Sequence, residues 1–347
     1  MLYIISIVHG LFWLKLLPQS LGSLFLFEMP LVFLLSGYSF FLAEARREKS
    51  KPHEDPSQGI SAYVSFLISR FTRILLPYFV YAVSCIAICY AYYQYTGGSG
   101  WNFLTIAISW LNPFNFASRY SVGMLSWHLW FIPPFLVVAA LLPFVTKINF
   151  QKRYPLWMWM IGGTLAIYGL SFFNLPGGTL LKTASFYLLW ALLGYHLAKP
   201  NQNIARAEYG WVALVSLAAL LIIFAASFAA HPVIADLQLL NMQANKFPPN
   251  PIFFLFSCFW VSLFLSAALW LKQTPGKFDF LVNQFWLKPF IAGGYSIYLW
   301  QGLSYTAVAL LGEAFGIPTL LVWLMAIILS VMLGTLAAPL EKVRIRR

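Results

Sequence analysis

Apolar residues fall in long blocks along this chain, separated by short polar or glycine- and proline-rich breaks. A bilayer core of ~30 Å takes ~20 mainly apolar residues per helix. By that ruler the blocks at 1–17, 24–43, 74–94, 127–146, 156–173, 179–198, 210–230, 251–271, 290–311 and 318–339 each predict a spanning helix. The breaks carry turn residues, as in Thr96-Gly97-Gly98-Ser99-Gly100, Leu175-Pro176-Gly177-Gly178 and Pro248-Pro249-Asn250-Pro251. No repeat of fixed period is visible, and no stretch reads as a separate soluble module. The pattern predicts an all-α, polytopic membrane protein of about ten transmembrane helices, with one integral-membrane domain over residues 1–347.

Composition supports that picture. Hydrophobic residues make up 61% of the 347 and charged residues only 9%, against ~25% in soluble domains. A water-soluble globule is excluded for want of polar surface, and disorder is excluded by the apolar content. The formal net charge of +12 first suggests nucleic acid or an anionic surface. Orientation accounts for it instead. With the N-terminus in the cytoplasm, 18 of the 22 Lys and Arg lie in cytoplasmic segments, and only Lys15, Arg119, Lys182 and Lys246 lie elsewhere. The positive-inside rule therefore predicts N-in, C-in topology, with the bilayer as partner and no nucleic acid. Trp127, Trp130, Trp157, Trp159 and Trp211 sit near proposed helix ends, where indoles anchor at the interface. Cys85, Cys89 and Cys258 have no disulfide or metal spacing and read as small buried hydrophobes. The first apolar stretch lacks the basic flank and cleavage site of a signal peptide.

With charge so scarce, the ionisable groups inside or beside the spans stand out. His9 lies midway along the first span, where a polar group is costly and marks function by default. The alternative is a neutral histidine bonded to another helix. His128 opens the fourth span at an outer interface, and His196 caps the cytoplasmic end of the sixth. Arg70 and Arg73, three apart, project from one side of a helical stretch over Ser61–Arg73. They fit either an interfacial helix on lipid phosphates or an anion clamp for a nucleotide-like cofactor. On the outer side Arg119 is a solvent-exposed loop residue, while Glu28 lies nearest a helix start and His9. Lys246 precedes Phe247-Pro248-Pro249-Asn250-Pro251 at the end of a long outer loop, 231–250. That stretch either frames an acceptor cleft or simply begins a helix. No zinc, Walker, Rossmann or nucleophile-elbow motif occurs, so no metal site is expected.

Several segments, taken in order, resemble the acyltransferase 3 family of membrane O-acyltransferases. They are Ile7-Val8-His9, Met29-Pro30-Leu31-Val32-Phe33-Leu34-Leu35-Ser36-Gly37-Tyr38 and Arg70-Phe71-Thr72-Arg73-Ile74-Leu75-Leu76-Pro77-Tyr78. His128-Leu129-Trp130-Phe131-Ile132 and Tyr295-Ser296-Ile297-Tyr298-Leu299-Trp300 complete the series. The resemblance implies a ten-helix protein of the bacterial cytoplasmic membrane. It would transfer an acyl group, most often acetyl, from cytoplasmic acyl-CoA to a hydroxyl of an envelope or exported glycan. Acyl-CoA is then a donor substrate, and no cofactor is held tightly. By the same resemblance His9 is the catalytic base, suited to a sugar hydroxyl that is a poor nucleophile. Arg70 and Arg73 grip the donor phosphates. His128, Glu28, Lys246, Tyr295 and Ser296 are substrate-binding candidates, with Tyr295, Ser296 and His128 also candidates for stabilising an oxyanion.

Two departures from the family pattern matter. The family places an arginine eleven residues before its first-helix histidine, whereas only eight residues precede His9. An in-frame upstream extension encoding that arginine is predicted, and stop codons immediately upstream in the gene would refute it. Gln301 stands where many relatives carry histidine; it can hydrogen-bond but not titrate, so no acid–base role falls to it. A transporter or flippase of a glycolipid or amphipathic solute is the alternative function, although the matching halves common in such proteins are not seen. A structural subunit of an envelope-assembly complex ranks third.

Overall fold

The computed structural model describes residues 2–50, 59–97, 102–115, 120–147, 154–173, 178–200, 204–230, 241–274 and 287–342, with positions 239, 276, 280 and 283–285. Arg119, His53, His231, Asp236, most of the 231–240 loop and the basic residues Lys51, Lys152, Arg153, Lys277, Arg344, Arg346 and Arg347 lie outside that set. The described chain is helical, and no strand occurs among the described residues. The helices are α1 (Leu2–Trp13), α2 (Gln19–Ser23), α3 (Glu28–Ser50), α4 (Gly59–Tyr95), α5 (Phe103–Leu111), α6 (Ile132–Val145) and α7 (Leu156–Ser171). They continue with α8 (Gly178–Leu197), α9 (Arg206–Ala230), α10 (Met242–Lys246), α11 (Pro251–Lys272), α12 (Lys288–Phe315) and α13 (Thr319–Ala337). Each apolar block read from the sequence contains a helix. Among the described residues, five stretches are long and apolar enough to cross a membrane by length and composition: Ser20–Arg47, Tyr63–Tyr95, Arg206–Ala229, Pro251–Lys272 and Thr319–Lys342. The helices around Leu129–Val145 and Leu156–Ser171 are apolar but shorter.

Three differences from the sequence reading have simple causes. The arginine segment and the block at 74–94 are one helix, α4, because no glycine lies between them and Pro77 is accommodated inside it. Proline lacks the N–H that the Arg73 carbonyl needs, so the helix is weakened there without ending. Helix α5 is too short for a twenty-residue ruler. Its start is fixed by Asn102, whose side chain accepts from the Thr105 N–H, and it buries Ile106 and Trp110. Helix α12 is broken by non-helical torsions at Gly293 (φ −149°, ψ 41°), where a Cβ would strike Ala338.

The chain divides into two compact units. The first comprises residues 1–18, 60–136 and 282–347. Its frame is the pair α12 and α13, joined by a left-handed turn at Gly316 (φ +63°). Gly334 lets α13 lie on the Ile297 backbone, the close approach that small residues give membrane helices without a hydrophobic drive between them. Helix α1 packs on both, and Gly10 faces Trp323 and the Tyr305 hydroxyl so closely that a Cβ would collide with them. The irregular segment 120–128 carries backbone groups that lipid cannot satisfy, and side chains of the unit take them up. The Tyr81 hydroxyl donates to the Leu125 carbonyl (2.7 Å) and the Trp110 indole to the Tyr120 carbonyl (2.8 Å). Thr306 Oγ1 accepts from the Met124 N–H (2.9 Å), and the Tyr298 hydroxyl donates to the His128 carbonyl (2.9 Å).

The second unit comprises residues 19–59 and 137–281. Helices α3 and α8 pack through Gly37 on the Ala191 carbonyl and Gly194 on the Leu34 carbonyl, with Phe33 stacked on Tyr187 at 4.3 Å. Helix α11 lies against α9 and α7, and Gly163 makes room for the Phe254 ring. Cys85, Cys89 and Cys258 are buried free thiols, as their spacing predicts.

Candidate functional site

The first unit brings His9 and His128 into one aromatic box. His9 is 4% exposed and stacks on Trp13, one helical turn on, with ring centroids 4.7 Å apart and an interplanar angle of 20°. The Tyr298 ring lies 5.8 Å from it. His128, 1% exposed, meets the same two neighbours, with Trp13 at 6.0 Å and Tyr298 at 5.4 Å, and is faced by Tyr81 at 5.6 Å. Tyr305 closes one side against Trp13 (5.3 Å), and Trp300 packs on Tyr81 (5.7 Å). Helical spacing explains the convergence. Tyr298 and Tyr305 are seven residues apart and so share a face of α12, and Gly302 between them leaves the space that the His128 ring fills. His128, at the start of the fourth apolar block, is therefore a buried member of this box.

Arg70 and Arg73 prove unequal. Arg70 is half-buried, its guanidinium 5.6 Å above the Phe66 ring, and it lies one turn before Ile74 on the same face of α4. The Ile74 carbonyl accepts from the Tyr295 hydroxyl (3.0 Å), which ties that face to α12. Arg73 is exposed. Tyr295 and Ser296 sit at the break in α12 rather than in the aromatic box. The Ser296 N–H donates to Glu341 Oε1 (2.6 Å), so a carboxylate takes up a donor freed where the helix restarts.

Glu28 and Lys246 belong to the second unit and pair with each other. Both are 2% exposed, and Lys246 Nζ lies 3.4 Å from Glu28 Oε1. Burial pushes the Lys246 ammonium below its ordinary range, and the Glu28 charge opposes that shift. Lys246 ends the short helix α10, which is pinned where the Met242 N–H donates to Ser23 Oγ (2.9 Å). The proline stretch after it starts a helix: Asn250 caps α11 by accepting from the Phe253 N–H (3.0 Å), with Pro251 in the first turn. His196 lies in the last turn of α8, 3% exposed, with its ring 5.7 Å from Trp159. An apolar cavity in this unit, among Trp159, Met160, Trp190, Val212, Phe254 and Val261, has no histidine or carboxylate in its walls. No cluster of metal-ligating side chains occurs among the described residues.

The sequence reading passed over Trp13, Tyr81, Tyr305 and Glu341. Tyr298 had a signal, its place in the Tyr295–Trp300 segment, whereas Trp13, Tyr81 and Tyr305 are common residue types in apolar helices and Glu341 lies just beyond the last predicted span. The first unit thus holds a buried imidazole inside apolar helices and, on α4, a half-buried arginine. The family model for the acyltransferase domain, the acyltransferase 3 family, matches residues 2–338, and the chain belongs to that family. It is a multi-pass membrane acyltransferase. No curated protein and no solved structure matches the chain.

Proposed function

We propose that the protein is an O-acyltransferase that carries an acyl group, acetyl foremost, from cytoplasmic acyl-CoA to a hydroxyl of an envelope or exported glycan. In this reading the chain has ten spans in the bacterial cytoplasmic membrane, with both termini inside. The observation that carries it is the burial of His9 in the aromatic box of a unit that also holds Arg70. Along α4, Arg70 and the box residue Tyr81 are eleven positions apart, roughly 16 Å at the helical rise. An extended pantetheine arm has the reach to join phosphates at Arg70 to a thioester at the box.

The chemistry then follows from the groups present. His9 takes the proton of the acceptor hydroxyl while its oxygen attacks the thioester carbonyl carbon. The tetrahedral intermediate collapses with loss of the CoA thiolate, which recovers the proton from His9. Trp13 and Tyr298 hold the imidazole in place and keep water away from the thioester. Arg70 binds the donor phosphates, with Arg73 as an outer, solvent-screened helper. The test is transfer of radiolabel from acetyl-CoA into glycan in vesicles from cells producing the chain. Label should appear with the native chain and vanish with His9→Ala; undiminished transfer by that variant overturns the role of His9.

A further inference from the structure

Gln301 is fully buried, and neither its carbonyl oxygen nor its amide nitrogen has a hydrogen-bond partner. A buried primary amide in that state is costly, because both ends were solvated in the unfolded chain and nothing replaces the water. Such a group persists where a ligand completes it. Its position on α12 says which one. Gln301 lies three residues after Tyr298 and four before Tyr305, and residues at those spacings share a helix face. Tyr298 faces His9 and Tyr305 faces Trp13. The following residue, Gly302, is the one whose missing side chain admits the His128 ring. Gln301 therefore belongs to the face of α12 turned toward the two histidines.

We infer that Gln301 is a catalytic residue of the proposed transfer, its side-chain N–H donating to the thioester carbonyl oxygen as negative charge develops there. The inference rests on the acyl-transfer reading above and supplies the oxyanion donor which that reading lacks. An amide suits the task. It is neutral, so it adds no buried charge beside two histidines. It also has no competing partner to surrender when substrate arrives, so its dipole costs nothing to reorganise. The amide oxygen remains as an acceptor for the hydroxyl of the incoming sugar. Proton and electron accounting is unchanged, since Gln301 donates a hydrogen bond and transfers no proton. Of the other candidates, the Tyr295 hydroxyl is engaged on the Ile74 carbonyl and Ser296 lies at the helix break, whereas the His128 ring nitrogens are, like the Gln301 amide, without a hydrogen-bond partner.

The experiment compares Gln301→Leu, Gln301→Asn and Gln301→His with the native chain, in vesicles supplied with radiolabelled acetyl-CoA and the cells' own glycan. Gln301→Leu keeps the volume and removes the amide. Its kcat should fall about 10²- to 10³-fold, the loss seen when one oxyanion donor is removed. KM for acetyl-CoA should stay within about threefold and the melting temperature in detergent should be unchanged or higher, because an unsatisfied buried group has gone. Gln301→Asn, with its amide drawn back by one methylene, should also lose kcat. Gln301→His, which restores an N–H at similar reach, should keep kcat within about tenfold of native. Gln301→Leu with native kcat overturns the inference, as does failure of both Leu and Asn variants to fold, which would make the amide a structural element. His9→Ala run in parallel separates the two claims. Transfer surviving without His9 refutes the acyl-transfer reading of the box, whereas transfer lost without His9 but intact in Gln301→Leu refutes only the role of Gln301.

Discussion

Each unit of this protein buries ionisable side chains away from water, and the two do so by opposite means. In the second unit, Glu28 and Lys246 answer each other, one negative and one positive at 3.4 Å, both 2% exposed. In the first, His9 and His128 are set among aromatic rings, with Trp13 stacked on His9, Tyr81 facing His128 and Tyr298 near both. Under the proposed function, the difference separates structure from chemistry. A charge pair is held by its partner, and breaking it leaves an uncompensated ion in an apolar medium. Aromatic rings hold an imidazole in place through stacking and edge contacts instead. The charge pair holds α10 to the start of α3, and the box is where the proposed transfer places its base.

The largest effect expected is therefore catalytic and confined to the first unit. His9→Ala should reduce acetyl transfer by at least about 10²-fold, the lower end of what a positioned base contributes. Folded protein recovered in detergent should not fall. A His9→Ala variant that aggregates while its soluble fraction transfers normally would reverse the comparison.

Lys246→Met should show the opposite pattern. Leaving Glu28 buried without its cation costs about 3–5 kcal/mol, read as a lower melting temperature and yield, while transfer per folded molecule stays within about threefold. The double variant Glu28→Leu with Lys246→Met removes both charges and should recover most of the loss, since apolar replacements of buried pairs are often neutral. A double variant no better than the single one would mean that the pair acts on something other than itself.

The two arginines sharpen the contrast at smaller scale. Arg70 is half-buried over Phe66 and shares a face with Ile74, which Tyr295 ties to α12, whereas Arg73 is exposed. Arg70→Ala should raise KM for acetyl-CoA about tenfold, and Arg73→Ala only about twofold because solvent screens its charge. Equal effects would return the pair to the symmetric clamp that their spacing suggests.

These residues also mark how far the sequence could be read. The helices were legible because twenty apolar residues in a row have few other fates, and His9 was legible because polarity is rare there. Five ordered segments were enough to place the family. The inequality of Arg70 and Arg73 was not legible, since spacing gives direction and not burial. Nor was the continuity of α4, since its polar arginine stretch over Ser61–Arg73 and the apolar span from 74 read as separate elements. The pairing of Glu28 with Lys246 joins positions 218 residues apart, a contact that no local pattern encodes. Gln301 was noticed only for what it cannot do, because an unpartnered amide becomes visible only when every neighbour is in place.

The smallest effect expected concerns Glu341, which sits between the two patterns: a charged group whose partner is a backbone N–H. Its carboxylate takes the Ser296 N–H at 2.6 Å where α12 resumes after Gly293. Through Tyr295 the same break is tied to the arginine segment of α4. Glu341→Gln keeps an oxygen acceptor and removes the charge, so it should lose about 1 kcal/mol of stability, the difference between charged and neutral hydrogen bonds. Any change in transfer should be no more than a fewfold and should appear in KM for acetyl-CoA rather than kcat, because the residue supports the arginine side of the unit and not the histidine box. Glu341→Ala removes the acceptor altogether, leaves the Ser296 N–H unsatisfied and should cost about 2–3 kcal/mol more than native. A kcat loss in Glu341→Gln that matches His9→Ala would show that the helix break belongs to the chemistry itself.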